Sequence, residues 1–156
     1  MKKTTIKTIS FILSAGVLIA AGIVFYLFNL PHRNVQAAAT DYSLNAQSIV
    51  NEYLKDATAS NKKYLEQDGN SKILAVSGKV YSITEDLKQQ KVILLKDSAD
   101  KAGVSCTFNA ASNVHVAGIS LGEAITVKGV IRSGAGYDSD LGLYENVIME
   151  KCDLTK

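Results

Sequence analysis

Residues 9–30, ISFILSAGVLIAAGIVFYLFNL, contain no charged side chain, and this stretch constrains the rest of the chain more than any other. As a helix rising about 1.5 Å per residue it reaches roughly 33 Å, against a bilayer hydrocarbon core of about 30 Å. Inside a soluble protein a uniformly apolar helix must be covered on every side. The 116 residues from 41 to 156 are too few to do that. The expectation is a membrane-spanning helix over 9–30, a basic segment over 1–8 and a short linker over 31–40. Lys2, Lys3 and Lys7 flank the N-terminal end and only Arg33 flanks the other. The N-terminus therefore stays in the cytoplasm and residues 41–156 lie outside. Secretory signal peptides use a shorter apolar region of about 7–15 residues, which favours a retained anchor. The alternative is a secreted or periplasmic form released near Ala37, because Val35 and Ala37 in NVQAAA offer the small residues that signal peptidase accepts. No cysteine stands at the end of the apolar run, which excludes lipoprotein processing.

The leader also distorts the average charge. Four of the 17 basic residues precede position 41 and all 15 acidic residues lie within 41–156, so the formal +2 of the chain hides a balance of −2 in 41–156. Nucleic-acid binders draw most of their affinity from lysine and arginine neutralising phosphates. This domain has no surplus to offer them.

From Asp41 the apolar residues Ile49, Val50, Tyr53, Leu54 and Ala57 recur at helical spacing, predicting an amphipathic helix over about 43–67 with Ser43 or Asp41 as its cap. The expected bend falls near Ser60 and Asn61, and DGNS at 68–71 ends the helix. The period then changes from 3.6 to 2, predicting five strands over about 72–83, 91–96, 103–109, 124–132 and 145–154. SGAGYDSDLGLY, between the last two, reads as a mobile loop. The fold class expected is mainly β: a five-stranded barrel behind an amphipathic helix, since closure removes exposed edges. Gly78 and Gly129, each inside a long strand, supply the bulge or kink that turns a barrel corner.

The residues that carry a family pattern run through most of the domain. They include Ala59 and Tyr64; Val76, Gly78 and Val80 in AVSGKV; and Val104, Cys106 and Phe108 in VSCTF. They continue with Leu121, Gly122, Ile125, Val127 and Gly129 in SLGEAITVKG, then Val147, Met149, Cys152 and Leu154 in VIMEKCDL. Over 44–154 this pattern resembles the bacterial tRNA-anti-like OB-fold domains. The resemblance implies an OB barrel whose third and fifth strands are neighbours, in an envelope protein with an N-terminal membrane or export segment. Binding of tRNA does not come with it. OB folds that hold single strands stack bases on aromatic side chains over a positive groove, and the strands here offer only Tyr81 and Phe108. Phe108 shares its face with Val104 and Cys106 and belongs to the core.

Few constellations carry chemistry. Cys106 and Cys152, the only cysteines, stand on strands that the resemblance makes adjacent. They either form a disulfide in an oxidising compartment or remain two buried thiols. A nucleophilic thiol needs a base, and His115 is the sole histidine of the domain, without further ligands at metal spacing. DSDLGLYE at 138–145 begins like a calcium loop, but its sixth position is Leu143 and its twelfth Met149, where glycine and a bidentate carboxylate are needed. It reads as a solvated acidic turn. Candidate ligand-face residues are Lys79, Tyr81, Lys128, Arg132, Tyr137 and Tyr144. The expected protein is not an enzyme and needs no cofactor or metal. It is a membrane-anchored OB-fold module with a monomeric outer domain, whose partner is an envelope protein, peptide or glycan; a nucleic-acid-binding OB domain is the alternative.

Overall fold

The structure, a computed structural model, describes residues 16–26, 28, 33–66 and 71–155. It comprises two compact units, residues 1–33 and 34–156. In the first, residues 16–26 form a helix, α1, whose apolar side chains, Val17, Leu18, Ile23 and Phe25 among them, are exposed. The expected span over 9–30 lies partly outside the described residues, and the basic segment 1–8 lies wholly outside them. Among the described residues no helix is long and apolar enough to cross a membrane.

The second unit is a closed five-stranded barrel with helices ahead of it. Its strands are β2 (Ile73–Glu85), β3 (Lys91–Leu95), β4 (Val104–Phe108), β5 (Ala124–Ser133) and β8 (Val147–Leu154). They pair in the order β2-β3-β4-β8-β5, and β5 returns to β2 to close the barrel. β4 and β8, the third and fifth barrel strands, are neighbours as the OB resemblance implies, and they pair in parallel. Each predicted strand is present, with its ends shifted by at most two residues.

β2 turns the corner. Its residues 73–79 pair with β5, and from Val80 onward it pairs with β3, with a bulge between Val80 and Ser82. The bulge therefore falls at Tyr81, and Gly78 stands just ahead of it. A Cβ on Gly78 would lie 3.1 Å from the Cβ atoms of both Ala46 and Leu95, so this glycine serves close packing, which corrects the kink expected from sequence. Gly129 does lie at a register shift, between Lys128 and Val130 opposite β8. The extra residue is on β8, where Lys151 adopts φ 53°. A Cβ on Gly129 would also meet the Cys152 sulfur at 2.8 Å.

The single helix expected over 43–67 is three elements: β1 (Tyr42–Asn45), α2 (Ala46–Lys55) and α3 (Ala57–Tyr64). β1 adds in parallel to the first half of β2. Asn45 caps α2 through the Ser48 amide at 2.7 Å. The break comes at Asp56 rather than near Ser60. Its backbone is extended, its N–H closes the last turn of α2 on Glu52, and its carboxylate accepts the Ala59 amide at 2.9 Å. One residue thus ends one helix and starts the next. The Glu52 carboxylate joins the two, accepting from the Lys63 ammonium at 2.9 Å and the Tyr64 hydroxyl at 2.8 Å. The Lys63 bond, against some burial and with help from Tyr64, holds the Glu52 carboxyl below its usual range.

The linker expected over 31–40 is, from Asn34, part of the barrel. Asn34 caps a turn by accepting the Gln36 and Ala37 amides, each at 3.1 Å. Val35 is buried, and the Gln36 carboxamide donates to the Lys151 carbonyl at 2.6 Å. The Lys128 ammonium donates to the carbonyls of Gln36 and Ala38. This strap caps the carbonyl that the Lys151 bulge turns outward. The core beneath it joins Ile49, Val50, Tyr53 and Tyr64 of the helices to Leu74, Val76, Ile93, Phe108, Val127 and Met149 of the barrel.

Candidate ligand groove

The segment expected to be a mobile loop folds into a hairpin, β6 (Gly136–Asp138) and β7 (Leu143–Glu145). Asp138 closes its turn, accepting the Asp140 and Leu141 amides at 2.8 and 3.0 Å, and Gly142 takes φ +65°. The acidic residues here are thus turn formers. Pairing sets Tyr137 directly opposite Tyr144, their ring centroids 4.8 Å apart and tilted by 50°. The Lys101 ammonium lies 5.1 Å from the Tyr144 centroid and 3.3 Å from its hydroxyl, a cation–π contact that fixes one edge of the pair.

Across from the hairpin runs α2. A Cβ on Gly134 would lie 2.0 Å from the Tyr53 ring, so only glycine lets the strand–hairpin junction reach the helix. Between them lies a groove of about 490 Å³ lined by Tyr53, Leu54 and Ala57 and by Lys101, Tyr137 and Tyr144. Tyr137 is 58% exposed. The Tyr53 hydroxyl is buried with no hydrogen-bond partner among the described residues. Burial, with smaller contributions from Tyr64 and Glu52, pushes its pKa up to about 12. A mostly apolar, aromatic wall with one cation and a few hydroxyls can cover apolar ligand surface and orient it through few polar groups.

The other candidate ligand residues do not join this groove. Lys79 is ion-paired to Asp97 at 3.0 Å, and Tyr81 lies under the Lys96 ammonium, 5.3 Å from the ring centroid. Lys128 is occupied by the strap. Arg132, 4.0 Å from Glu150, lines a separate cleft. The single face expected from sequence is therefore not assembled; only Tyr137 and Tyr144 come together. Tyr53, Leu54 and Lys101 were missed. The signal for them was weak, since Tyr53 and Leu54 read as ordinary core positions of an amphipathic helix.

Cys106 and Cys152 are buried free thiols on neighbouring strands. Burial first, and then the adjoining Cys106 thiol, raise the Cys152 pKa well above its usual value, so the sulfur stays protonated. His115 pairs through Nδ1 with Asp153 at 2.6 Å. Among the described residues no group of three or more His, Cys, Asp or Glu is placed to hold a metal ion.

Two comparisons bear on kinship. The model of the tRNA_anti-like family matches residues 1–141, a range that takes in the N-terminal segment and stops short of β8. No curated protein matches the chain.

Proposed function

We propose, from the premise that the chain belongs to the tRNA_anti-like family, that it is a non-enzymatic binding module. An N-terminal anchor holds it at the outer face of a bacterial cytoplasmic membrane. One observation carries the binding role: the Tyr137–Tyr144 pair facing α2 across a groove of about 490 Å³. Tyrosines give large contact area at low entropy cost and are enriched in binding hot spots. The ligand class is an envelope protein, peptide or glycan, which the acidic balance of residues 41–156 favours over nucleic acid. Support for the anchor comes from the uncharged run over 9–30 and the exposed apolar side chains of α1. Support for a non-catalytic role comes from the thiols, which are shut in the core.

The test is a titration of isotopically labelled chain, in detergent, with soluble cell-wall glycan fragments, extended peptides and single-stranded oligonucleotides in turn. Shifts centred on Leu54, Lys101, Tyr137 and Tyr144, abolished by Tyr137→Ala, are the expected result. Salt-sensitive shifts with oligonucleotides on β3 and β4 would replace this reading with nucleic-acid binding. The outer location also puts the adjacent Cys106 and Cys152 thiols in an oxidising compartment, where a disulfide oxidant takes two electrons and two protons to join them. Denaturing whole cells in acid and then alkylating the unfolded chain reads their state, and two alkylated cysteines would count against the outer location.

A further inference from the structure

A second cleft, of about 840 Å³, lies apart from the tyrosine groove, between α3 and the β5–β8 pair. Three cations line it, Lys62 from α3, Arg132 from β5 and Lys151 from the β8 bulge, together with two carboxylates. Glu66 is taken by Lys72 at 2.6 Å, outside the lining, and Glu150 faces Arg132 at 4.0 Å. Lys62 and Lys151 are exposed and take part in no ion pair among the described residues. Among the described lining residues three cations meet two carboxylates, a local balance of +1 in a domain whose overall balance is −2. Its place matters as much as its sign. The Gln36 side chain rests on the carbonyl of Lys151, so the cleft adjoins the strap by which the chain enters the barrel. If the span ends at residue 30, the four steps to Asn34 cover at most about 14 Å of extended chain. The headgroup layer occupies roughly 5–8 Å of that, and the remainder is within about one screening length in physiological salt.

We infer that this cleft receives the phosphodiester headgroup of an anionic lipid, held between Lys62, Arg132 and Lys151, so that the barrel docks on the membrane that anchors it. The inference rests on the anchored reading. Arg132 supplies the planar fork suited to phosphate and the lysines supply point charges.

The experiment uses the full chain in lipid nanodiscs of phosphatidylcholine alone or with phosphatidylglycerol, reading amine acylation of each lysine by mass spectrometry. Expected is slower acylation of Lys62 and Lys151 in the anionic discs, with Lys88 of the β2–β3 turn unchanged. Arg132→Gln should cut that protection roughly fivefold, the weight of one basic side chain near an anionic surface. Equal rates in the two discs overturn the proposal. Protection by inorganic phosphate in phosphatidylcholine discs, matching that of the anionic lipid, overturns the lipid as source. A chain that fails to co-elute with either disc defeats the anchor instead. Soluble glycerophosphoglycerol then decides the cleft alone, supporting it if Lys62 and Lys151 are protected and overturning it if they are not.

Discussion

A side chain that nothing satisfies is as informative as one that is paired. The Tyr53 ring fills the space that Gly134 leaves, while its hydroxyl finds no partner among the described residues. Burying an unpaired hydroxyl costs about 1–3 kcal/mol, so Tyr53→Phe should raise stability by about 1 kcal/mol in a denaturant melt. The same substitution carries a pH signature. The folded pKa is raised to about 12, against about 10 unfolded, so the native state keeps its proton while the unfolded chain has lost it. The Tyr53 hydroxyl therefore leaves stability independent of pH below 10 and makes it fall as pH rises toward 12, by roughly 2–3 kcal/mol over that window. Tyr53→Phe should flatten this alkaline decline, and an unchanged slope would place the titration elsewhere. Gly134→Ala tests the other half of the contact. Its new Cβ at 2.0 Å from the Tyr53 ring should cost about 3 kcal/mol or more, at the upper end of overpacking. Gly78→Ala, with 3.1 Å contacts to two Cβ atoms, should cost about 1 kcal/mol. Thermal melts of the two variants should differ in that order.

At the scale of elements, the α2–α3 break depends on one carboxylate. Asp56→Ala removes the cap of α3, and the expected loss is about 1 kcal/mol of stability, with Asp56→Asn retaining most of it; equal melts for Asp56→Ala and wild type would show that the break needs no cap. The same break shows what periodicity conveys. Ile49, Val50 and Tyr53 recur at helical spacing and are buried as that spacing predicts. The i,i+4 pattern is nevertheless indifferent to a single extended residue at Asp56, so one long helix was expected. The five barrel strands were legible because alternation holds along most of each. It fails at Ile73–Val76, four buried residues in a row, where β1 and β5 flank β2 on both sides. β1 escaped notice although Tyr42, Ser43, Leu44 and Asn45 alternate as a strand does, because four residues are too short a run to separate from the helical pattern that follows and their partner is β2, which no local pattern specifies. The candidate groove was half legible. Tyr137 and Tyr144 stood out as aromatics in a loop of glycine and aspartate, but their pairing needed the register of β6 on β7. Lys101 reaches them from 43 residues away.

For the molecule as a whole, the strap decides what the N-terminal segment means. Val35 and Ala37 offer a peptidase its small residues, yet in the folded barrel Val35 is buried and Gln36 is bound to the Lys151 carbonyl. Cleavage after Ala37 would remove both side chains and leave only the Ala38 carbonyl for Lys128. Burying a valine is worth about 1.5–2 kcal/mol and each hydrogen bond about 1 kcal/mol. A chain beginning at Ala38 should therefore be less stable than one beginning at Asn34 by about 2–4 kcal/mol, measured by urea denaturation of the two side by side. Equal midpoints would mean that the strap lies on the barrel without supporting it. A deficit of the expected size means that a released form would give up a substantial part of a domain stability that is only about 5–15 kcal/mol in total. A retained anchor would keep the strap whole. Chain recovered from fractionated cells should then show the full-length mass in the membrane fraction, whereas a mass starting at Ala38 in the soluble outer fraction would show that the cell accepts the loss and releases the module.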